Sequence, residues 1–356
     1  MITDRDDFIA TVEHRRPSRI LYRAGFTPDL HRRVAEHVGT EKIGEHYGFM
    51  GMTNLSPNRP DHIEPIDYRR FYGKDEVPEG TRISPVGAAQ VPSGFYHFFG
   101  YISPLRNATS LKELEDYPLD DCAQWDISHY EETVSSARAA GRIVVGGVGH
   151  MYESAWQIRG YEEFLIDMME RPAWAECILD KLIEQARYKA VTAAKAGADY
   201  VHCGDDVASQ VSLMFSKPMW EKFMLSRRRR VWQEVKEANP DCRIWYHSDG
   251  NVADIVGDLI EAGVDILNPL QPECLDCDAL HRRYGDRLTF DGAIGTQSTM
   301  PFGSAEEARA RVKEVIEKYG QNGGLIISPT HILEPEVPLE NIDALFDACR
   351  EYGQFG

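Results

Sequence analysis

The sequence predicts an α/β fold, a (β/α)8 barrel. Three observations carry that reading. From Ile143 onward, short apolar runs alternate with segments of helical spacing at least six times. Polar and ionisable residues gather where the apolar runs stop, which is where barrel enzymes place their sites. The alternative, a doubly wound sheet, would show a glycine-rich turn after an early strand, and Gly146-Gly147-Val148-Gly149 is too short and too late for one.

Taken in order, Asp4–His14 is a short amphipathic segment, Arg19–Tyr22 a first strand, and Pro28-Asp29-Leu30 opens a helix reaching about Val38. Residues 44–110 are rich in Gly, Pro, Tyr and Phe with irregular spacing, and they read as an irregular insertion near the pocket. Within it Ile83–Gln90 is a candidate strand. The run Phe95-Tyr96-His97-Phe98-Phe99 either covers the pocket or packs a β-hairpin on itself. Strands follow at Ile143–Gly147, Tyr200–Cys203, Arg243–Tyr246, Asp265–Leu267, Leu288–Phe290 and Leu325–Ile327. Helices are expected at Tyr161–Met169, Trp174–Ala196, Lys217–Asn239, Val252–Glu261, Ala305–Tyr319 and Leu339–Tyr352. Gly197 and Gly263 stand where a helix C-terminus needs a residue free to turn. The whole chain, 1–356, is expected to form one barrel domain.

Composition narrows the function. An apolar fraction of 42% can build a sizeable core, and 39 basic against 57 acidic residues leave a net charge of -18. Such a surface repels phosphate backbones and anionic lipid, so nucleic acid and membranes are not expected partners. Arg227-Arg228-Arg229-Arg230 reads as the solvated or capping end of a helix. No apolar run is long enough to span a bilayer, and MITDRDDF lacks the order of a signal peptide. Seven scattered cysteines suggest reduced thiols and a cytoplasmic location. Cys274-Leu275-Asp276-Cys277 with His281 resembles a metal or redox motif, but no second CxxC accompanies it, and packing is the simpler reading.

The stretch Ile244–Gln271 shows the grammar of the whole: strand, polar turn His247-Ser248-Asp249-Gly250, helix, strand. An imidazole and a carboxylate two residues apart suit a metal, although Asp249 could instead cap the following helix. Asp205 and Asp206 follow another strand, as helix caps or as carboxylates for a substrate amine or hydroxyl, or for orienting a ligand histidine. Glu153, Asp291 and His331 follow three more strands, and Gln271 stands just beyond Asn268-Pro269.

Four stretches, GDDVASQVSLMFSKPMWEKFMLSRRR, YHSDGNVADIVGDLIEAGVDILNPLQ, TFDGAIGTQ and SPTHILEPEVPLENI, resemble the uroporphyrinogen decarboxylase superfamily. The resemblance covers most of the chain from about Trp156. It implies a (β/α)8 barrel with a deep pocket at the strand C-termini. It also implies one of two chemistries, porphyrinogen decarboxylation or zinc-dependent, cobalamin-linked methyl transfer. In the decarboxylases an R-Q-A-G-R segment holds substrate carboxylates. Here Arg23-Ala24-Gly25-Phe26 keeps one arginine, and Phe26 cannot fork onto a carboxylate. In the methyltransferases the resemblance implies a zinc site of His-x-Cys plus a distant Cys. His247 matches the histidine, while Asp249 and His331 stand where thiolates would be, both still zinc-competent. A thiol substrate then fits poorly and an oxygen-bearing one better.

The sequence thus favours a methyltransferase moving a methyl group between a small substrate and a separate corrinoid protein, because the chain has no D-x-H-x-x-G cobalamin motif. His247, Asp249 and His331 would hold zinc and serve catalysis, with Glu153 as a proton carrier or further ligand. His331 could instead act alone as a proton donor or acceptor. Arg23, Asp205, Asp206, Gln271 and Asp291 would meet the substrate. The alternatives are a metal-independent decarboxylase, in which Arg23 pairs with a carboxylate, and a non-catalytic ligand-binding barrel. Oligomeric state is left open, a homodimer included.

Overall fold

The structure is a computed structural model that describes residues 2–73, 77–92 and 99–355. Eight parallel strands form one curled sheet in the order β1-β8-β7-β6-β5-β4-β3-β2. In chain order they are β1 (Leu21–Tyr22), β2 (Met52–Leu55), β3 (Ile143–His150), β4 (Tyr200–Gly204), β5 (Arg243–His247), β6 (Ile266–Leu270), β7 (Thr289–Ile294) and β8 (Leu325–Pro329). The Met50 amide, just before β2, donates to the Tyr22 carbonyl of β1 at 3.0 Å and brings the two ends of the sheet together. This is the expected (β/α)8 barrel.

Side chains alternate between the two faces of each strand. Leu21, Ile143, Val145, Tyr200, Trp245, Ile266 and Ile326 point inward and form the barrel's own apolar core. The helix Asp4–Val12, started by a Thr3–Asp6 capping box, lays Phe8 and Val12 against its base. Rings then stack along the axis, Phe8 on Tyr200 at 5.4 Å and Tyr200 on Trp245 at 4.6 Å. The outward residues Val144, Val201, Ile244, Tyr246, Leu267 and Ile327 meet the surrounding helices.

Helix boundaries follow their signals. The Pro172–Ala196 helix begins on Pro172 and ends at Gly197 in the left-handed region, φ 101°. Ala305–Tyr319 opens on a Ser304–Glu307 capping box. The expected helix at 217–239 contains a π turn over Glu221–Leu225 before the α-helix Ser226–Ala238.

Several expectations differ in detail. Strands run one to four residues past the ends of their apolar runs, so His247, Asn268 and Asp291 lie within strands and not after them. The apolar signal stops because the inward face becomes polar, while the backbone ladder continues. Residues 44–110 include the barrel strand Met52–Leu55, which pairs in parallel with Ile143–Gly146, and a small antiparallel sheet of Arg82–Ile83, Ala89–Pro92 and Phe99–Ile102. Of the Phe95–Phe99 run only Phe99 falls within the described residues. The arginine run is not uniformly solvated. Arg228 is buried, whereas Arg227 and Arg230 pair with Asp180 and Glu184 at the surface. Among the described residues, no helix is long and apolar enough to cross a membrane.

Arg228 answers to Asp205. Both have essentially no exposed surface, and Nε and Nη2 approach the Asp205 Oδ2 at 3.0 and 2.9 Å. The other oxygen accepts the Met151 and Tyr152 amides, each at 2.6 Å. One carboxylate thus ties the end of β4 to the helices on either side. Replacing Arg228 with leucine leaves that carboxylate buried and unpaired, which costs about 3–5 kcal/mol. Urea unfolding of Arg228→Leu is expected to show a loss of that size. Arg227→Leu, a surface pair, is expected to change stability by less than about 1 kcal/mol.

Candidate metal centre at the barrel mouth

Two residues above the apolar inward positions of most barrel strands, the same face carries a polar group. Leu21 is followed by Arg23, Tyr200 by His202, Trp245 by His247, Ile266 by Asn268, and Ile326 by Ser328. Thr289, in register with Ile266, is followed by Asp291. Arg23, His202, His247, Asn268 and Ser328 line a cavity of about 280 Å³. His150 joins them through a register shift. The pairing of β3 with β4 steps from Gly147–His202 to Gly149–Cys203, so Val148 is an extra residue. Without that bulge His150 would face outward; with it the ring turns into the mouth. Gly204 makes room for it, since a Cβ there would stand 3.2 Å from the ring and 2.6 Å from the His247 carbonyl.

The orientation of His247 is fixed from behind. Arg23 Nη2 donates to Asp291 Oδ2 at 2.9 Å, and Ser328 donates to Oδ1 at 2.8 Å. Asp291 is therefore an acceptor, and Asn268 must turn its amino group toward it, at 2.6 Å. The amide oxygen of Asn268 then faces His247 Nδ1, also at 2.6 Å. Nδ1 must carry the hydrogen, which leaves the Nε2 lone pair directed outward. Asp206 Oδ1 lies 3.5 Å and Asp249 Oδ1 3.9 Å from Nε2. These separations are close to the ~3.3 Å between ligand atoms of a tetrahedral zinc site with bonds of ~2.0 Å.

Asp206 is held in turn. Its Oδ1 accepts the Asp249 amide at 2.9 Å, and its own amide donates to Glu153 Oε1 at 2.8 Å. Burial, then the neighbouring Asp206 charge, pushes the Asp249 carboxyl above its ordinary range, against the pull of His247 and His331. A divalent cation between the two carboxylates would offset both effects. His247, Asp249 and Asp206 are the described residues whose donor atoms come within 4.8 Å of one another. His331 Nε2 lies 3.9 Å from the other Asp249 oxygen. The donor set, one imidazole with its remote N–H on a carbonyl oxygen and two carboxylates, suits zinc.

Other candidates have different surroundings. Glu153 accepts a hydrogen bond from His150 at 2.5 Å, beside the mouth. Asp205 and Asp291 have no exposed surface, and their oxygens are occupied by the bonds already described. Arg23 lines the smaller cavity, with its guanidinium over the Trp245 ring at 5.0 Å. Gln271 lines a second cavity of about 430 Å³, which shares the Thr330–Ile332 wall with the first. The CxxC pair stays outside the mouth: Cys277 is buried and His281 stacks on Tyr319 at 4.8 Å.

The profile described as Uroporphyrinogen decarboxylase (URO-D) matches residues 101–352, well over half of the chain. The chain belongs to this family. It is 25% identical over 256 residues to a protein of Nostoc punctiforme named uroporphyrinogen decarboxylase, covering 70% of this chain and 69% of that one. It is 26% identical over 210 residues to the methylcobamide:CoM methyltransferase MtaA of Methanosarcina barkeri, covering 59% and 58%. Among solved structures, a methyltransferase from Methanosarcina mazei superposes with a TM-score of 0.66 over 99% of both chains, at 19% identity, a likeness of fold.

In this URO-D family chain the residue reading singled out neither His150 nor His202. Burial, and then His247, Arg23 and His150 nearby, push His202 down to about 3, so it is a neutral imidazole. The available signal was its place two residues beyond Tyr200, on the inward face. Burial alone would lower His150 too, but Glu153, backed by Asp205 and Asp206, holds it up to about 9. Its partner Glu153 is held below the ordinary value by His150 despite burial.

The pH dependence follows. The His150 contribution to stability is full below its unfolded value of 6.5 and is lost as the pH rises through about 9. The Glu153 contribution is full above 4.5 and is lost as the pH falls through its lowered folded value. Wild type is therefore expected to lose stability from pH 6.5 to 9 relative to His150→Gln, measured by urea unfolding at each pH.

Proposed function

We propose that this chain is a zinc-dependent methyltransferase that moves a methyl group between a small oxygen-bearing substrate and a corrinoid carried by a separate protein. The observation that carries the reading is the orientation of His247, whose Nε2 lone pair faces Asp206 and Asp249 because Asn268 occupies Nδ1. The matching MtaA of Methanosarcina barkeri, named as a methylcobamide methyltransferase, supports the reaction class.

His247, Asp249 and Asp206 would hold the metal, with His331 as the further ligand on the Asp249 side. Zinc bound there supplies a Lewis acid for the substrate heteroatom. The chain's own residues do the rest. Asn268 keeps His247 in one tautomer, and Asp291 keeps Asn268 in one orientation. His150 is a protonated donor beside the mouth at neutral pH, and Glu153 positions it. Its ring stands edge-on to that of His247 with centroids 5.7 Å apart, so its proton lies next to the proposed ligand, where it can serve a substrate oxygen bound at the mouth. All these donors are nitrogen or oxygen. The set is harder than a thiolate site, and oxygen-bearing substrates suit it better than thiols.

Purified protein is expected to hold about one zinc per chain and His247→Ala less than about 0.2. Asn268→Leu keeps every proposed ligand, yet its zinc affinity is expected to fall 10- to 100-fold, roughly, in a chelator competition. Methyl transfer to cob(I)alamin, followed by its absorbance, should vanish with the metal. A zinc-free wild type that still transfers methyl groups would sink the proposal.

A second reading, metal-independent decarboxylation, is favoured by the name of the Nostoc relative and by Arg23 at the cavity floor. It requires carbon dioxide release from a porphyrinogen that survives chelation and falls in Arg23→Ala.

A further inference from the structure

The polar layer at the barrel mouth has one member that its neighbours leave alone. Arg23, Asn268, Asp291, Ser328 and His247 are joined by hydrogen bonds. His150 is joined to Glu153. His202 lines the same 280 Å³ cavity, yet among the described residues its ring makes no hydrogen bond. Its contacts are with rings, the Trp245 and His247 centroids lying 6.2 and 6.5 Å away. The ring nitrogens are not sealed inside the protein; the residue is half-buried and opens on the cavity.

The neighbouring strand leaves room beside this ring. His202 is in register with Gly147 of β3, and alternation from the inward Val145 turns Gly147 inward as well. Gly147 is exposed although it lies within a barrel strand, and a Cβ there would meet nothing within 4 Å. Gly146 differs: a Cβ on it would stand 2.6 Å from Ala193 Cβ, so helix packing demands that glycine. No such contact demands Gly147, whose effect is to keep the wall next to His202 open.

The charged groups round the cavity are paired: Arg23 with Asp291, His150 with Glu153, and His331 with Asp249 at 3.9 Å. A metal would be offset by Asp206 and Asp249. What His202 adds is a hydrogen-bonding group without a charge, one N–H and one lone pair. A hydroxyl pairs with either of these, whichever tautomer is present. A methyl group pairs with neither, and an ammonium would enter beside Arg23.

We propose that His202 and the open wall at Gly147 form a floor subsite that takes a hydroxyl group, so that the favoured substrate carries a hydroxyl besides the oxygen that meets the metal centre. The inference rests on the methyl-transfer reading for the word substrate; the choice of a hydroxyl stands apart from it. His202 is a specificity-determining residue in this account and not a metal ligand.

Two molecules of one size test it: 2-methoxyethanol and 1-methoxypropane, which differ by a hydroxyl in place of a methyl group. Binding to the full chain as purified is followed by ligand-detected NMR without any corrinoid, so a failure of methyl transfer leaves the result intact. Wild type is expected to bind the alcohol at least about tenfold more tightly. His202→Leu is expected to abolish that preference while zinc content per chain stays at the wild-type value. His202→Asn keeps a donor and an acceptor and is expected to retain part of the preference. Gly147→Val fills the open space without altering His202, and it is expected to weaken the alcohol about tenfold, which keeps the test decisive if the leucine variant folds poorly. Equal binding of the two molecules by wild type overturns the proposal. So does a preference that survives in His202→Leu, unchanged alcohol binding in Gly147→Val, tighter binding of methoxyacetate than of 2-methoxyethanol, or no binding of any of the three.

Discussion

The mouth of this barrel depends on one buried carboxylate, Asp291. With Arg23 and Ser328 donating to it, Asp291 can only accept, and that single fact propagates. It turns the Asn268 amide, which fixes the hydrogen on His247 Nδ1, which frees Nε2. The chain of bonds ties five strands, β1, β8, β7, β6 and β5, at one level of the barrel. A buried ion pair is weak evidence for stability, because desolvation offsets most of the attraction. Its use here is orientation: a planar amide and a planar imidazole each lose one of two otherwise similar states.

The same level marks a change in the physics of the interior. Below it, Phe8, Tyr200 and Trp245 fill the axis and exclude water. Above it, the inward positions of most strands are polar, and each polar group needs a partner or access to solvent. Arg23 sits at the boundary with its guanidinium on the Trp245 ring and its charge on Asp291. An apolar floor under a polar layer lowers the local dielectric and strengthens each bond in the layer. The cost is that any unpaired member is expensive, and most polar groups of the layer are bonded to one another, Arg23 Nε being a buried exception.

Much of this was legible in the sequence, and the exceptions have physical causes. The barrel could be read from apolar runs alternating with helical spacing, because β-branched strands and capped helices obey local rules. His247, Asp249 and Gln271 were visible where the strand pattern breaks. Met52–Leu55 was not, because MTNL has neither alternation nor an apolar run and becomes a strand only through Ile143–Gly146 beside it. His202 was hidden inside a run that reads as core. His150 was hidden by the bulge, since simple alternation from Val145 points it outward. Asp205 and Asp206 could not be told apart by spacing; the fold gives Asp205 to Arg228 and two amides, and turns Asp206 toward His247.

Two hydrogen-bond chains converge on the surroundings of His247, and together they account for how a carboxylate, Asp249, can stand where the family resemblance implies a thiolate. The first runs from Arg23 and holds the imidazole from behind. The second runs from His150 through Glu153 to the Asp206 amide, and from the Asp206 carboxylate to the Asp249 amide. It holds the two acids in front. Carboxylates this close repel each other, and the second chain keeps them together by giving Asp206 a backbone donor. In the proposed reading the loss of thiolate electron density makes the metal a stronger Lewis acid toward oxygen. The His150–Glu153 pair then does two things: it fixes Asp206, and it keeps a proton within reach of the oxygen the metal would polarise.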